Sequence, residues 1–600
     1  MDTKMASLFV EQRDGRQALA PSRRARERRG VWKRARRAVL PVLGVALLLA
    51  AWQWAAAGPV PVLPLASDTA LTFLGMLATA EFWTATWDTL GTAMLGFAVA
   101  SAIGIALGLF AGLNAYVFRA SKVAIEVAKP IPAIVILPLM VLQLGASQSM
   151  VLALIMWALI PLLAVTTAAG VGDVDPLLLE TAGSYRLRHV AKLRSVVLPS
   201  ALPFIATGLR IGASLAIVIA VVGEIVGGAP GLGRQLEVYR QAGLPQTVFA
   251  YVIALGLLGV AIYYLLLALE RRVLRWHESY RSSVKTGALG RRLSAAWAGA
   301  ADRFWASRAG IHVEDIGVAA AKRRTARTAN APRKVRQVRS SSSGRGLVLQ
   351  LVQVGVPIVL LVWWWFASST STSPFYPSLS TILEHFREMW IFDHFASDVV
   401  PSLSNFIGGF VLSVVLGITL GLVVARLHWL DQMLDPLITF FRSIPAVAFI
   451  PLLITLVGFG PSMRVASIVL AAIFPVLIAT VDGVRSIDGT LGEVARSYRV
   501  SSIRRLFSIY LPAATPRIFS GIEIALAISL VVMIASELIG TSFGIGAQVA
   551  RAQTDLAFAD MWAGILLLSL IGLAFSIVFT ASRRTILSWY FGARAAARAQ

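Results

Sequence analysis

Long apolar runs punctuate this chain at near-regular intervals, and lipid admits few ways of folding such runs. They fall at about 38–57, 88–113, 123–144, 149–170, 201–227 and 247–268, and again at 346–367, 401–425, 436–457, 462–482, 514–540 and 559–582. Each is long enough to cross a hydrocarbon core of ~30 Å. No water reaches that core, so every backbone N–H and C=O must be satisfied within the spanning segment, and a helix does this locally. The chain is therefore expected to be an all-α polytopic membrane protein of about twelve transmembrane helices in two sets of six. The composition agrees, with 57% hydrophobic and only 14% charged residues.

The two sets are copies of each other. Pro445 lies 313 positions after Pro132, and the same shift carries Pro64 to Pro377, Gly96 to Gly409, Phe97 to Phe410, Gly104 to Gly417 and Gly108 to Gly421. It continues through Pro138 and Pro451, Gly145 and Gly458, Gly170 and Gly483, Pro199 and Pro512, and Gly208 and Gly521, to Gly231/Gly233 and Gly544/Gly546. Proline and glycine in register over such a distance mark an internal duplication. Six spans per copy give both modules one orientation, so they are parallel repeats about an axis along the membrane normal.

Charge placement sets the topology. The net charge of +24 is concentrated in the N-terminal tail, a central stretch and short loops, the pattern of Lys and Arg retained on the cytoplasmic side. Nucleic acid is not the expected partner, because the Arg cluster has only Trp32 interleaved and runs straight into a span. Ser67–Glu81 is acidic and lacks Lys and Arg, as an external loop should be, whereas 171–199 carries Arg186, Arg188, Lys192 and Arg194. The expected organisation is a basic cytoplasmic tail (1–37), a first module (38–270), a basic linker (271–345), a second module (346–585) and a cytoplasmic C-terminal tail (586–600). The linker is too polar and aperiodic to pack a core, although an amphipathic helix near Leu293–Trp305 is suited to lying on the membrane surface. Ala55-Ala56-Ala57 imitates a signal-peptidase site, but the basic leader is unusual for a signal peptide, and the run at 38–57 is read as a retained span. The location expected is a bacterial inner membrane, crossed many times, with both termini cytoplasmic and lipid as a partner.

The loop between the fourth and fifth spans is the most informative segment. It reads D-P-L-L-L-E-T-A-G-S-Y-R with V-V-L-P following, from Asp175 to Pro199, and D-G-T-L-G-E-V-A-R-S-Y-R with I-Y-L-P following, from Asp488 to Pro512. Asp175 is placed to cap a short helix with Pro176 at its first position. Leu178, Ala182 and Tyr185, matched by Leu491, Ala495 and Tyr498, recur at i, i+4, i+7 and predict one apolar face suited to a partner's groove. Glu180 and Glu493 are expected in the first turns, favoured there by the helix dipole, with Arg186 and Arg499 near the other end. Leu198-Pro199 and Leu511-Pro512 are expected to stop the loop and open the next span.

This pattern resembles the E-A-A…G…I-x-L-P loop of binding-protein-dependent ABC importer permeases of type I. Glu180, Ala182, Val196, Leu198 and Pro199 match its spacing, as do Glu493, Ala495, Ile509, Leu511 and Pro512. Thr181 and Val494 replace the middle Ala. Arg186 and Arg499 stand where the family has Gly, which predicts that the helix continues there without a turn. Lys129-Pro130-Ile131-Pro132 with Pro138, Arg442-Ser443-Ile444-Pro445 with Pro451, the external stretch Phe375–Ser380, and Glu224 and Glu537 before Gly-x-Gly look like the nitrate/sulfonate/taurine branch. The resemblance covers roughly 60–270 and 373–583. It implies the permease subunit of an ATP-driven importer, with two ATP-binding cassette ATPase subunits seated on the two docking helices. An external solute-binding protein would deliver a small solute, a nitrate-, sulfonate- or taurine-like anion. Relatives pair two chains of one module each; here the pair looks fused.

Four of the ionisable residues in the fifth spans stand at two equivalent pairs of positions. Arg210 and Glu523 occupy equivalent positions, and two readings fit them: a pair across the pseudo-twofold axis forming an inner gate, or separate residues, one snorkelling to the interface and one bonded to a local hydroxyl. Glu224 and Glu537 fit a structural or gating role at the outer end, or plain interface carboxylates. Pro132, Pro138, Pro445 and Pro451 are expected to shape broken helices lining the path. A twelve-span secondary transporter with parallel repeats is the competing class; it needs coupling carboxylates or histidines at the midplane and has no use for twin docking helices. A channel would show a ring of like charges or a carbonyl filter. With no Cys, six His and no H-E-x-x-H, neither an enzyme nor a metal or cofactor site is expected, and no Lys follows a Gly, so no P-loop is present.

Overall fold

The computed structural model describes residues 23–58, 62–114, 132–273, 361–371, 373–539 and 542–599, with positions 117, 355, 358 and 359. The linker from 274 to 345, including the helix expected near Leu293–Trp305, lies outside the described residues, as do the start of the 123–144 run and much of the 346–367 run.

In the first module, α1 (Arg23–Ala57) starts inside the expected tail and is followed by α2 (Ala66–Met76) and α3 (Ala80–Leu113). A 3-10 turn at Ala133–Ile136 leads into α4 (Leu137–Leu144), then α5 (Gln148–Gly172) and α6 (Pro176–Ser184). Next come α7 (His189–Ile225), α8 (Leu232–Gln241) and α9 (Pro245–Val273). The second module begins with α10 (Leu379–Arg387), α11 (Phe395–Arg426) and α12 (His428–Ser443). A 3-10 turn at Ala446–Ala448 leads into α13 (Phe449–Val457), followed by α14 (Pro461–Arg485), α15 (Gly489–Ser497) and α16 (Ser502–Leu538). It ends with α17 (Ile545–Thr554), α18 (Phe558–Ile586) and α19 (Ser588–Ala599). A shift of 313 positions turns the bounds of α5 to α9 into those of α14 to α18 without exception.

Of the roughly twelve spans expected, the runs at 123–144 and 346–367 lie partly outside the described residues. Among the described residues nine helices are long and apolar enough to cross a membrane, and a tenth segment spans only by bending. That segment is α12 followed by Ala446–Val457, which meet at 91°. Proline is the cause. Pro445 cannot donate to a helical carbonyl, and it forces Ile444 out of the helical region to φ −70°, ψ 128°. Pro132, itself extended at φ −63° and ψ 142°, stands directly before the 3-10 turn at Ala133–Ile136. Pro138 and Pro451 do no such damage, because they occupy the first turns of α4 and α13, where N–H groups have no intrahelical partner.

Small residues hold each module together. Apolar surface gains nothing by leaving lipid, so packing in a membrane depends on close backbone approach. A Cβ at Gly96 would sit 2.9 Å from Ile155, and one at Gly108 2.6 Å from the Ala164 carbonyl, so α3 lies directly on α5. The second module repeats this, with Gly409 against Ile468 and Gly417 against Val476. The other face of α5 receives α7, with Gly170 against Ala201 and Phe204.

Across the seam between modules, α9 and α1 of the first module pack on α12 of the second. Gly256 lies against the Phe440 ring, Gly259 against the Ser443 carbonyl and Gly44 against the Met433 backbone. Arg442 stacks over Tyr263 at 4.4 Å. Overfilling so tight a contact costs about 1–3 kcal/mol. Replacing Gly259 by Val is therefore expected to lower the midpoint of thermal unfolding and broaden the gel-filtration profile, whereas Gly75→Ala, with nothing within 4 Å of the added carbon, leaves both unchanged.

Candidate docking loops and the charged knots

In each module the polar loop is a short helix locked at both ends. The Asp175 carboxylate accepts the Leu177 N–H at 2.9 Å, with Pro176 in the first turn. Asp488 does the same for Thr490, accepting its N–H at 3.0 Å and its hydroxyl at 2.8 Å. These bonds to Thr490 hold the Asp488 carboxyl below the usual carboxylate range.

The far end departs from expectation. α6 and α15 do not run on through Arg186 and Arg499; both residues take left-handed φ, 48° and 52°. Leu187 N–H reaches back to the Ala182 carbonyl at 3.1 Å and Arg186 N–H to Gly183 at 2.9 Å, while Val500 and Arg499 repeat this on Ala495 and Arg496. These are the paired bonds of a Schellman stop. The turn that glycine makes without strain is kept, with arginine carrying the cost of a Cβ in the left-handed region. An Arg186→Gly variant should relieve about 1 kcal/mol of strain and slow amide exchange in Pro176–Ser184 by about fivefold, as read by mass spectrometry.

Beyond the turn, Leu198-Pro199 and Leu511-Pro512 do not begin a new helix as expected. The helix already runs from His189 and from Ser502. Pro199 has no N–H for the carbonyl four residues back, and the helix absorbs the defect as a π turn at Leu193–Val197, where Leu198 N–H bonds to Leu193. Leu506–Tyr510 repeats it, with Leu511 bonded to Leu506. The part of the loop after the turn and the span thus form one rod, with α6 and α15 set off from it by the left-handed stop.

The surface of the docking helix also differs from the expected stripe. Tyr185 and Tyr498 are 78% and 80% exposed, and Leu178 and Leu491 are half exposed, but Ala182 and Ala495 are turned inward and buried. The apolar face is completed instead by Val190 and Ile503 beyond the turn, which the heptad-like spacing had missed because the left-handed residue breaks the helical period. Glu180 and Glu493 are exposed but lie one turn later than expected, in the second turn. Arg186 and Arg499 are exposed beside them.

At the opposite end of the fifth spans, Glu224 and Glu537 are each 1% exposed. Glu224 accepts the Gly233 N–H at 2.8 Å, and Glu537 accepts that of Gly546 at 2.8 Å and the Ser402 hydroxyl at 2.5 Å. Thr89 and Ser402 take the intervening N–H groups of Leu232 and Ile545, at 2.9 and 3.1 Å. The Gly-x-Gly that follows each glutamate is explained by space: a Cβ at Gly544 would sit 2.6 Å from the Glu537 carboxyl, and one at Gly233 2.9 Å from the Glu224 Cβ. These carboxylates tie the spans to α8 and α17. The second knot is larger. Asp398 accepts the Gly544 N–H at 2.7 Å, and Arg464 lies 3.7 Å from Glu537 and donates to the Phe543 carbonyl at 2.7 Å; the first module has Ala85 and Val151 at those positions. Removing one member of such a buried set leaves the others unpaired, at about 3–5 kcal/mol. Glu537→Ala should therefore lower the unfolding midpoint more than Ser402→Ala does, in a direct thermal comparison.

The cross-axis pair of Arg210 and Glu523 is not formed. Arg210 Nη1 lies 3.2 Å from Glu270 Oε2 on α9, and Glu523 Oε2 lies 2.7 Å from Arg583 Nη1 on α18. Both partners come from within the residue's own module. Glu270 and Arg583 are themselves 313 apart, so the two modules make one ion pair with its signs exchanged. Reading the shift at 270 as well as at 210 would have revealed it.

Comparison with known proteins follows the same outline. The family model described as binding-protein-dependent transport system inner membrane component matches twice, at residues 104–275 and 413–588. An aliphatic sulfonates transport permease protein of Bacillus subtilis is 30% identical over 213 residues, 36% of this chain and 77% of that protein. A bicarbonate transport system permease protein of Synechococcus elongatus is 34% identical over 177 residues, 29% of this chain and 63% of that protein. The taurine transport system permease protein of Escherichia coli is 28% identical over 205 residues, 34% and 73% of the two chains.

Proposed function

Because this chain belongs to the binding-protein-dependent transport system inner membrane component family, in its nitrate, sulfonate and taurine branch, we propose that it forms by itself the whole translocation path of an ATP-driven importer. Two ATP-binding cassette ATPase subunits dock on it, one on α6 and one on α15. An external solute-binding protein delivers a small anion, nitrate, a sulfonate or taurine, at the end where α8 and α17 lie. The membrane is the bacterial inner membrane, with both termini on the ATPase side.

The observation that carries this reading is the repeated apolar set on the docking loops. Leu178 and Leu491, Tyr185 and Tyr498, and Val190 and Ile503 stand exposed at equivalent places on the two loops. Exposed tyrosine beside exposed aliphatic side chains, ringed by Glu180, Arg186, Glu493 and Arg499, has the composition of an interface centre with a polar rim. Packing supplies the mechanics: Leu179 of α6 lies against Leu193, Val196 and Val197 of the rod, so displacement of α6 is passed to α7. In this scheme Glu224 and Glu537 hold the outer loops in place, and Pro132 and Pro445 set the bends that let the third segments cross near the path.

Tagged chain should retain an ATPase through purification. Changing Tyr185 and Tyr498 together to Ala should weaken that retention about tenfold, as expected for loss of exposed aromatic anchors, without altering gel-filtration behaviour. Full retention in the double variant would remove the docking role, and absence of any co-purifying ATPase would remove the importer itself.

A further inference from the structure

The sign-exchanged ion pairs bear on how movement leaves the docking loops. Resting on the importer reading above, we infer that Arg210–Glu270 and Glu523–Arg583 are positioning struts, which pass displacement of each docking rod to the next span and, from the first module, to the opposite module.

The first link is the rod. Beyond the stop at Arg186, α6 packs back on the start of α7, with Leu179 clustered against Leu193, Val196 and Val197, and α7 continues from His189 through the span. At 1.5 Å per residue, Arg210 sits roughly 30 Å along it from the docking turn, where a small tilt has become a displacement. The second link is the strut. The Glu270 side chain is only 4% exposed while that of Arg210 is 40% exposed, so a fixed carboxylate on α9 receives an arginine carried by the moving rod. The third link is the seam. Gly256 and Gly259 bring α9 onto Phe440 and Ser443 of α12 with no intervening side chain, and Arg442 lies over Tyr263. A shift of α9 therefore displaces α12, which leads directly into the bend at Pro445.

The exchange of signs identifies what the positions require. Had Arg210 served a solute or a lipid headgroup, its equivalent would keep the positive charge. Glu523 has the opposite charge, and Arg583 has changed with it. What the two modules share is the bond between the fifth span and the last span, whichever helix supplies the cation. The Glu270 carboxylate is buried, so its 3.2 Å contact with Arg210 resists separation more than a pair in water does, while the 2.7 Å contact of Glu523 with Arg583 is more open to solvent.

The chain has no Cys, so nitroxide labels can be placed cleanly at Gln241→Cys and Thr554→Cys, equivalent exposed positions at the ends of α8 and α17. In the full chain assembled with its ATPases, the distance between these labels is compared without nucleotide and with ATP plus vanadate. R210E should lose at least half of the ATP-dependent shift while ATP hydrolysis stays within about twofold of native. R210E/E270R, which copies the sign order of the second module, should restore the shift. R210M, which keeps bulk and drops the charge, should uncouple as R210E does. An intact shift in R210M, or a reversed pair no better than R210E, overturns the strut. An assembly without ATPase tells instead against the importer reading.

Discussion

Within lipid a helix must keep its own hydrogen bonds, and the architecture of this chain follows from where it is forced to break them. Several of its irregularities sit at a proline or at a residue that replaces glycine, and most of these occur twice. The right-angle bend at Pro445, the π turns ahead of Pro199 and Pro512, and the left-handed turns at Arg186 and Arg499 are the points at which straight spans become a device. Broken backbone is tolerated in a membrane only where protein covers it. Val447 and Ala448, at the bend, are fully buried. That bend packs against α7 of the first module, so the break there lies where the modules meet.

On that common frame the modules have diverged in charge while keeping their geometry. The outer knot of the second module adds Asp398 and Arg464 to the Glu537 motif that the first module makes with Glu224 and Thr89. The inner ion pair is retained with its signs exchanged. Fusion into one chain permits this. Two identical subunits would have to carry every substitution on both sides of the axis, whereas a tandem chain can place a cation on one fifth span and an anion on the other. The exchanged pair stays on the same two helices, so the bond between them, rather than which helix carries the cation, defines what those positions do.

Much of the site was legible in sequence because its signals are local. Capping by Asp175 and Asp488 needs only a carboxylate two residues from an amide, and the pairing of Glu224 and Glu537 with Gly-x-Gly lies within nine residues. The repeat added long-range register, since proline and glycine positions survive duplication when apolar residues interchange freely. The errors arose wherever the answer depended on three dimensions. Ala182 matched the stripe by spacing but faces inward, since the left-handed Arg186 ends the period on which the stripe was counted. Equivalence of position left Arg210 and Glu523 open between a cross-axis pair and separate residues, whereas each fifth span is bonded to the last span of its own module.

The sequence by itself determined that this chain spans a membrane, that it is two copies of one module, and that each copy carries a short helix in its longest polar loop. Those conclusions follow from hydropathy, register and short-range hydrogen bonding, which act along the chain. Only the tertiary structure decided which face of that helix is outward, that the loop after its turn forms one rod with the span, and which charges meet. Those outcomes depend on helix rotation and on the separation of spans. Both are set by side chains packing across gaps of a few ångströms between segments that are distant in sequence.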